Sequence, residues 1–359
     1  MTTAPSPAPD RHAWRVNWRK IGLFIAALFL FILAIQLLKS GAHALTPFIG
    51  GLAVENAANA LGFGWLFAYL VMSGSPVAAT TLTFFNDGAL DKFEAFAMIA
   101  GSRFGASFIV LGLGFVYALR GHARKGSLSM GLLSLIVTFT TYTPALALGY
   151  WLLAMGVLDR LTPQSAIAVV SLLEVVFGPL VGLALQVLPR PAVFGLGFAV
   201  LWYSLNLIDH ALPDMRLKES AFSGMARLLY RPMVTFGLGL LITSLTMSVS
   251  VSLSVLVPLS ARGFIRRENV IPYIMGANIT TFIDTLVAAL LLGNPQAFTV
   301  VLVEMISVAL VSLALLTLAY RQYERVVQDA VELIGDTHRN LALFLIVIIG
   351  IPVGLMFIR

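Results

Sequence analysis

The sequence predicts an all-α polytopic membrane protein made of two inverted repeats of about five apolar segments each, with broken or re-entrant helices at serine-rich motifs. Three observations carry this reading: a scarcity of charge, ten apolar runs of near-span length, and a 175-residue register between the first five runs and the last five. Of the 359 residues, 59% are hydrophobic and 11% are charged, against roughly 25% charged in soluble domains. A mean hydropathy of +0.92 leaves too few polar groups to face water over a whole surface. Soluble enzymes, disordered chains and nucleic-acid binders are excluded here, and the surrounding medium is a lipid bilayer. The excess of 23 Lys and Arg over 17 Asp and Glu suits cationic loops beside anionic headgroups.

The lack of cysteine removes disulfides, thiolate catalysis and Cys-ligated metal sites. His12, His43, His122, His210 and His338 have no helical ligand spacing, which argues against a histidine metal site. Neither a Walker loop nor a dinucleotide fingerprint is present, so no cofactor and no ATP-driven step is expected.

Met1–Lys20 reads as a disordered basic tail, with Pro5, Pro7 and Pro9 followed by Arg11, Arg15, Arg19 and Lys20. The run 21–38 is long for a signal-peptide core and adequate for a tilted span, so it is predicted to stay as a helix. The other runs are 61–85, 96–119, 130–157, 166–187, 192–209, 233–259, 271–292, 297–320 and 341–358. The halves are therefore 21–190 and 191–359. Adding 175 lays Met72-Ser73-Gly74-Ser75 on Met247-Ser248-Val249-Ser250, Gly88 on Gly263 and Gly101 on Gly276. Duplicated membrane proteins whose helices are interrupted at matching positions are commonly secondary transporters, with the interruptions at the binding site. Here 61–85 contains Ser73-Gly74-Ser75-Pro76 with Thr80, Thr81 and Thr83, and 233–259 contains Ser248, Ser250, Ser252, Ser254 and Pro258. Backbone freed from a helix at membrane depth must be buried in protein or line a cavity.

Gly276-Ala277-Asn278-Ile279-Thr280-Thr281 resembles a motif of the type II sodium–phosphate cotransporter family, in which Gly-Ala-Asn-Ile-Gly-Thr follows Gln-Ser-Ser-Ser by about 25 residues in each half. Thr280 stands where that family has glycine. Met247-Ser248-Val249-Ser250 and Met72-Ser73-Gly74-Ser75 sit at the serine motifs, with methionine in place of both glutamines. In the first half the second motif has drifted to Gly101-Ser102-Arg103-Phe104-Gly105-Ala106-Ser107. The resemblance spans roughly residues 20–320. It implies an inverted-repeat symporter in which Ser73, Gly74, Ser75, Ser248, Val249 and Ser250 hold inorganic phosphate or a similar anion, with sodium as coupling ion. It also implies a multi-pass protein of the plasma membrane, the cytoplasmic membrane if the source is bacterial. The alternatives are another anion, or a non-transporting scaffold or regulator that keeps the fold. No catalytic cluster points to an enzyme.

The residues alone are compatible with that chemistry. Broken helices aim N–H groups and positive dipole ends at a cavity, and serine hydroxyls add donors for an oxyanion. Thr80, Asn278, Thr280, Thr281 and Asp284 are the candidate cation ligands. Arg103, Glu174, Asp284 and Glu304 are the charges inside apolar runs, where each costs about 2.5–3.5 kcal/mol and normally faces the bundle interior. Arg103 lies in register with Asn278. It is an anion clamp, the partner of a buried carboxylate, or a side chain snorkelling to the lipid interface. Glu174 and Glu304 read as packing or pairing residues, Asp209-His210 as interfacial, and Trp65, Trp151 and Trp202 as interface anchors. Ser73, Ser75, Arg103, Ser248, Ser250, Asn278 and Thr281 are expected around one cavity near the membrane centre. The Lys and Arg of the loops divide evenly between the two sides, so the sequence leaves orientation and oligomeric state open.

Overall fold

The computed structural model describes residues 18–45, 54–119, 124–159, 166–211, 231–246, 252–253 and 267–358. Every regular element among these residues is helical, as hydrocarbon demands of a segment that must satisfy its own backbone. Among the described residues, seven helices are long and apolar enough to cross a membrane: Trp18–Leu45, Lys92–Gly112, Leu128–Met155, Arg190–Ile208, Asn269–Leu292, Pro295–Leu318 and His338–Met356. Three shorter apolar helices, Ala57–Val71, Leu173–Val187 and Pro232–Thr246, accompany them. The chain is an all-α, multi-pass membrane protein. The basic tail falls almost entirely outside the described residues.

The run 61–85 is not one helix. Helix α2 (Ala57–Val71), which follows α1 (Trp18–Ala42), ends at Met72, and α3 (Ser75–Asn86) begins three residues later. Met72 takes the left-handed conformation at φ 54°, the sole non-glycine with positive φ among the described residues. A methionine there costs about 1–2 kcal/mol. Pro76 sits in the first turn of α3, where its missing N–H has no partner to lose. Helix α4 (Lys92–Leu119) follows unbroken, then α5 (Arg124–Met155), α6 (Ala166–Val187) and α7 (Arg190–Ala211).

In the second half come α8 (Pro232–Thr246), α9 (Arg267–Thr280) and α10 (Ile283–Leu292), the last two parted by Thr281 and Phe282. Then follow α11 (Pro295–Leu318), α12 (Tyr320–Asp336) and α13 (His338–Met356). The ten apolar runs leave 321–340 without an element, and α12 fills it. This helix is amphipathic: Tyr323, Val327 and Val331 are buried on one face, and the Tyr323 hydroxyl lies 2.7 Å from Thr140 Oγ1 of α5. Its charged face kept it below the hydropathy that marks a span.

Helices in lipid gain little from apolar burial against one another, so close approach at small residues holds them. A Cβ on Gly64 of α2 would collide with the carbonyl of Met98 in α4, and one on Gly101 with the carbonyl of Leu61. The pair α8 and α9 repeats this contact. There Gly239 meets the carbonyl of Tyr273, and Gly276 meets that of Phe236. All four positions differ by 175 residues from their counterparts, and α2 and α8 are both 15 residues long.

One sequence expectation is corrected in this packing. Trp65 is not an interface anchor but is 2% exposed, with its ring against Phe104 at 5.0 Å and Phe139 at 4.9 Å. Trp65 lies one helical turn beyond Leu61, and its backbone nitrogen would stand 2.9 Å from a Cβ on Gly101, so the ring sits beside the point where α2 and α4 meet. Trp151 and Trp202 are exposed, in line with the anchor reading.

Candidate functional site: a polar cavity at the α2–α3 interruption

The interruption between α2 and α3 lies against the helix that carries Arg103. A side chain on Gly74 would stand 2.8 Å from the carbonyl oxygen of Ser102 and 2.9 Å from Cβ of Ala106, so this position needs a glycine. The close approach brings Ser73, Gly74 and Ser75 to the wall of a cavity of about 60 Å³, several times the ~10–15 Å³ that one water requires. Arg103, Ala106, Ser107 and Ile109 of α4 form a second wall, Ser134, Thr138 and Tyr142 of α5 a third, and Asn278 and Thr281 close it. A larger space of about 180 Å³ beside Phe108, Leu111 and Leu341 has an apolar lining and suits a hydrocarbon chain instead of an ion.

Hydrogen bonds fix much of this lining. The Asn278 side-chain amide donates to Thr138 Oγ1 at 3.0 Å, and Thr138 in turn donates to the Ser134 carbonyl at 2.8 Å. The Tyr142 hydroxyl donates to the Asn278 carbonyl at 2.8 Å. These bonds join α5 to the end of α9 and hold Asn278 by both its backbone and its side chain. Ser134 Oγ is buried with no protein partner among the described residues.

Arg103 supplies the charge. It is 4% exposed, and its guanidinium lies 4.8 Å from the ring centre of Phe282, a contact worth about 0.5–2 kcal/mol. Nη1 donates to Thr281 Oγ1 at 3.5 Å and Nη2 to Thr285 Oγ1 at 2.5 Å. Asp284 Oδ1 stands 3.6 Å from Nη2 and accepts the N–H and hydroxyl of Thr285 at 2.6 and 2.9 Å. Because the helix stops at Thr280 and restarts at Ile283, Thr281, Phe282, Asp284 and Thr285 all reach the same guanidinium. Asp284 also lies in the first turn of α10, where the helix dipole favours an anion.

Of the predicted site residues, Ser73, Gly74, Ser75, Arg103, Asn278 and Thr281 share this cavity, and Asp284 adjoins it through Arg103. Thr80 and Thr280 do not line it. Thr80 Oγ1 is buried with no partner among the described residues, and Thr280 donates back to the Gly276 carbonyl at 3.4 Å within its own helix. Ser248, Val249 and Ser250 lie outside the described residues. Glu174 is exposed on α6, which does not fit a packing residue. Glu304 is fully enclosed, within the electrostatic reach of Arg103, and neither carboxyl oxygen has a hydrogen-bond partner among the described residues.

The sequence reading missed the α5 wall, although Ser134, Thr138 and Tyr142 recur every four residues, the spacing of a single helical face. It also missed Thr285 and Phe282, which flank Asp284. Among the described residues no three His, Asp or Glu side chains converge as a metal site, so any cation held here would rest on Asp284 with hydroxyl and carbonyl oxygens. No family model, no curated protein and no solved structure matches this chain.

Proposed function

We propose that this protein carries a small inorganic oxyanion, phosphate first, across its membrane by alternating access, coupled to sodium. The observation that carries the reading is a buried guanidinium, its Nε without a partner among the described residues, at the wall of a cavity whose polar lining is hydroxyls, an amide and the Ser73–Ser75 segment, with Ala106 and Ile109 beside them. A permanent buried positive charge needs an anion; Asp284 meets it only at 3.6 Å through Nη2, and the cavity leaves room for a second anion beside Arg103. The helix interruptions at 72–74 and 281–282 are the kind of backbone that transporters bring to the midplane, with N–H groups facing anions and carbonyls facing cations. The resemblance of Gly276–Thr281 to the sodium–phosphate cotransporter motif supports the choice of ions. The repeated glycine contacts at a spacing of 175 residues support two copies of one unit, about 21–190 and 191–359, inverted with respect to each other. In this reading α2–α3 re-enters the membrane instead of crossing it.

The test is uptake. Purified protein in liposomes should accumulate radiolabelled phosphate when sodium is high outside, and not when potassium replaces it. Arsenate should compete and sulfate should compete less. No accumulation of any of these anions under either gradient would favour the scaffold reading and sink this one.

A further inference from the structure

Arg103 and Asp284 are each 4% exposed, and each has an unused atom. Arg103 Nε is buried with no acceptor and Asp284 Oδ2 is buried with no donor, among the described residues. The two charges are close, at 3.6 Å, yet they do not form the parallel two-bond fork available to a guanidinium and a carboxylate. The Thr285 hydroxyl stands between them, accepting from Nη2 at 2.5 Å and donating to Oδ1 at 2.9 Å. The pair is therefore loose and incomplete on both sides. The orphan donor belongs to a residue that lines the cavity. The orphan acceptor sits in the first turn of α10, just past the Thr281–Phe282 interruption.

We propose that Asp284 is a tethered competitor for the transported anion and becomes the cation ligand once displaced. In the empty site its carboxylate balances Arg103. An oxyanion entering from the Ser73–Ser75 side takes up Nε and the neighbouring donors and displaces the carboxylate. A carboxylate left buried without a positive partner is strongly disfavoured, so this state forms readily only when a sodium ion joins Asp284, with the hydroxyl oxygens of Thr281 and Thr285 beside it. Binding the anion thus creates the cation site, and binding the cation frees the anion site. Such coupling is reciprocal by thermodynamic necessity. Phe282 keeps the guanidinium in place while its partners exchange. The inference rests on the anion reading above and adds the residue that would couple the two ions.

The experiment is calorimetric titration of the purified full-length protein with inorganic phosphate, in sodium and in potassium buffers. The wild type should bind phosphate at least about fivefold more tightly in sodium, within the usual range of coupling between two sites. Asp284→Asn removes the competitor together with the need for a cation. It should bind phosphate equally in both buffers, at least as tightly as the wild type in sodium. Thr285→Val keeps both charges and removes the hydroxyl between them, so it should narrow the sodium-to-potassium ratio and can be read even if Asp284→Asn does not purify. Retention of the full wild-type ratio in either variant overturns the proposal, as does loss of phosphate binding in Asp284→Asn, and both outcomes leave the anion site standing. Failure of the wild type to bind phosphate, arsenate or sulfate in either buffer removes the anion reading itself, and this proposal with it.

Discussion

Helix α4 runs unbroken from Lys92 to Leu119 past Arg103, whereas the stretch that starts 175 residues later, at Arg267, stops at Thr280, turns through Thr281 and Phe282, and resumes at Ile283. Both begin in the same way. Each packs a glycine, Gly101 or Gly276, against the backbone of the preceding helix. They part at the next turn, where one stretch carries Arg103 and the other Asn278. The continuous stretch presents a fixed cation. The interrupted stretch presents an amide to the same cavity, and two threonines and a carboxylate within reach of that cation. Glycine contacts that hold a scaffold need only small residues, so the two stretches can share them while differing at other positions. The site needs opposite charges to meet, which two identical stretches could not provide.

The largest expected effect comes from removing the charge that separates the two stretches. Arg103→Gln leaves Asp284 buried without its partner, at a typical cost of about 3–5 kcal/mol, and should abolish phosphate uptake. Adding Asp284→Asn should recover most of the melting temperature and none of the uptake. If uptake returns as well, Arg103 serves folding alone. Next come the shared contacts. Gly64→Ala and Gly239→Ala should each destabilise by about 1–3 kcal/mol through overpacking, and by similar amounts, as judged by thermal unfolding in detergent. Tolerance at one position and collapse at the other would break the equivalence of the two helix pairs. A smaller effect is expected at the interrupted turn. Phe282→Leu removes a ring contact of about 0.5–2 kcal/mol from the guanidinium and should raise the Km for phosphate several-fold while leaving protein yield unchanged. The smallest is Thr80→Val, whose hydroxyl has no partner among the described residues and lies off the cavity. Stability should change by no more than about 0.5 kcal/mol and sodium-dependent uptake should persist, whereas loss of sodium dependence would restore Thr80 as a cation ligand.

How much was legible in the sequence differs between scaffold and site. Hydropathy and the 175-residue register marked the spans, because in lipid both span length and small-residue contacts leave direct traces in composition. Ser73-Gly74-Ser75-Pro76 announced the first interruption, since glycine and proline punctuate helices locally. Thr281-Phe282 carries no such residue, and that break became visible only in three dimensions. Arg103 posed a choice between anion clamp and ion pair that sequence alone had no means to decide. The structure puts it against both Asp284 and the cavity. Thr138 and Tyr142 escaped notice because a helical stripe of hydroxyls inside a long apolar helix looks like ordinary packing until its neighbours are known. Helix α12 escaped because its charges hid an apolar face.

The most direct test of the central claim is a crystal structure of the protein soaked in arsenate, with data collected at the arsenic absorption edge. The account predicts an anomalous peak in the cavity, within hydrogen-bond reach of Arg103 Nε and the Ser73–Ser75 segment, with the Asp284 carboxylate moved away from the guanidinium. An anion peak elsewhere in the bundle, or an arsenate-soaked crystal with an empty cavity and Asp284 still beside Arg103, would contradict it.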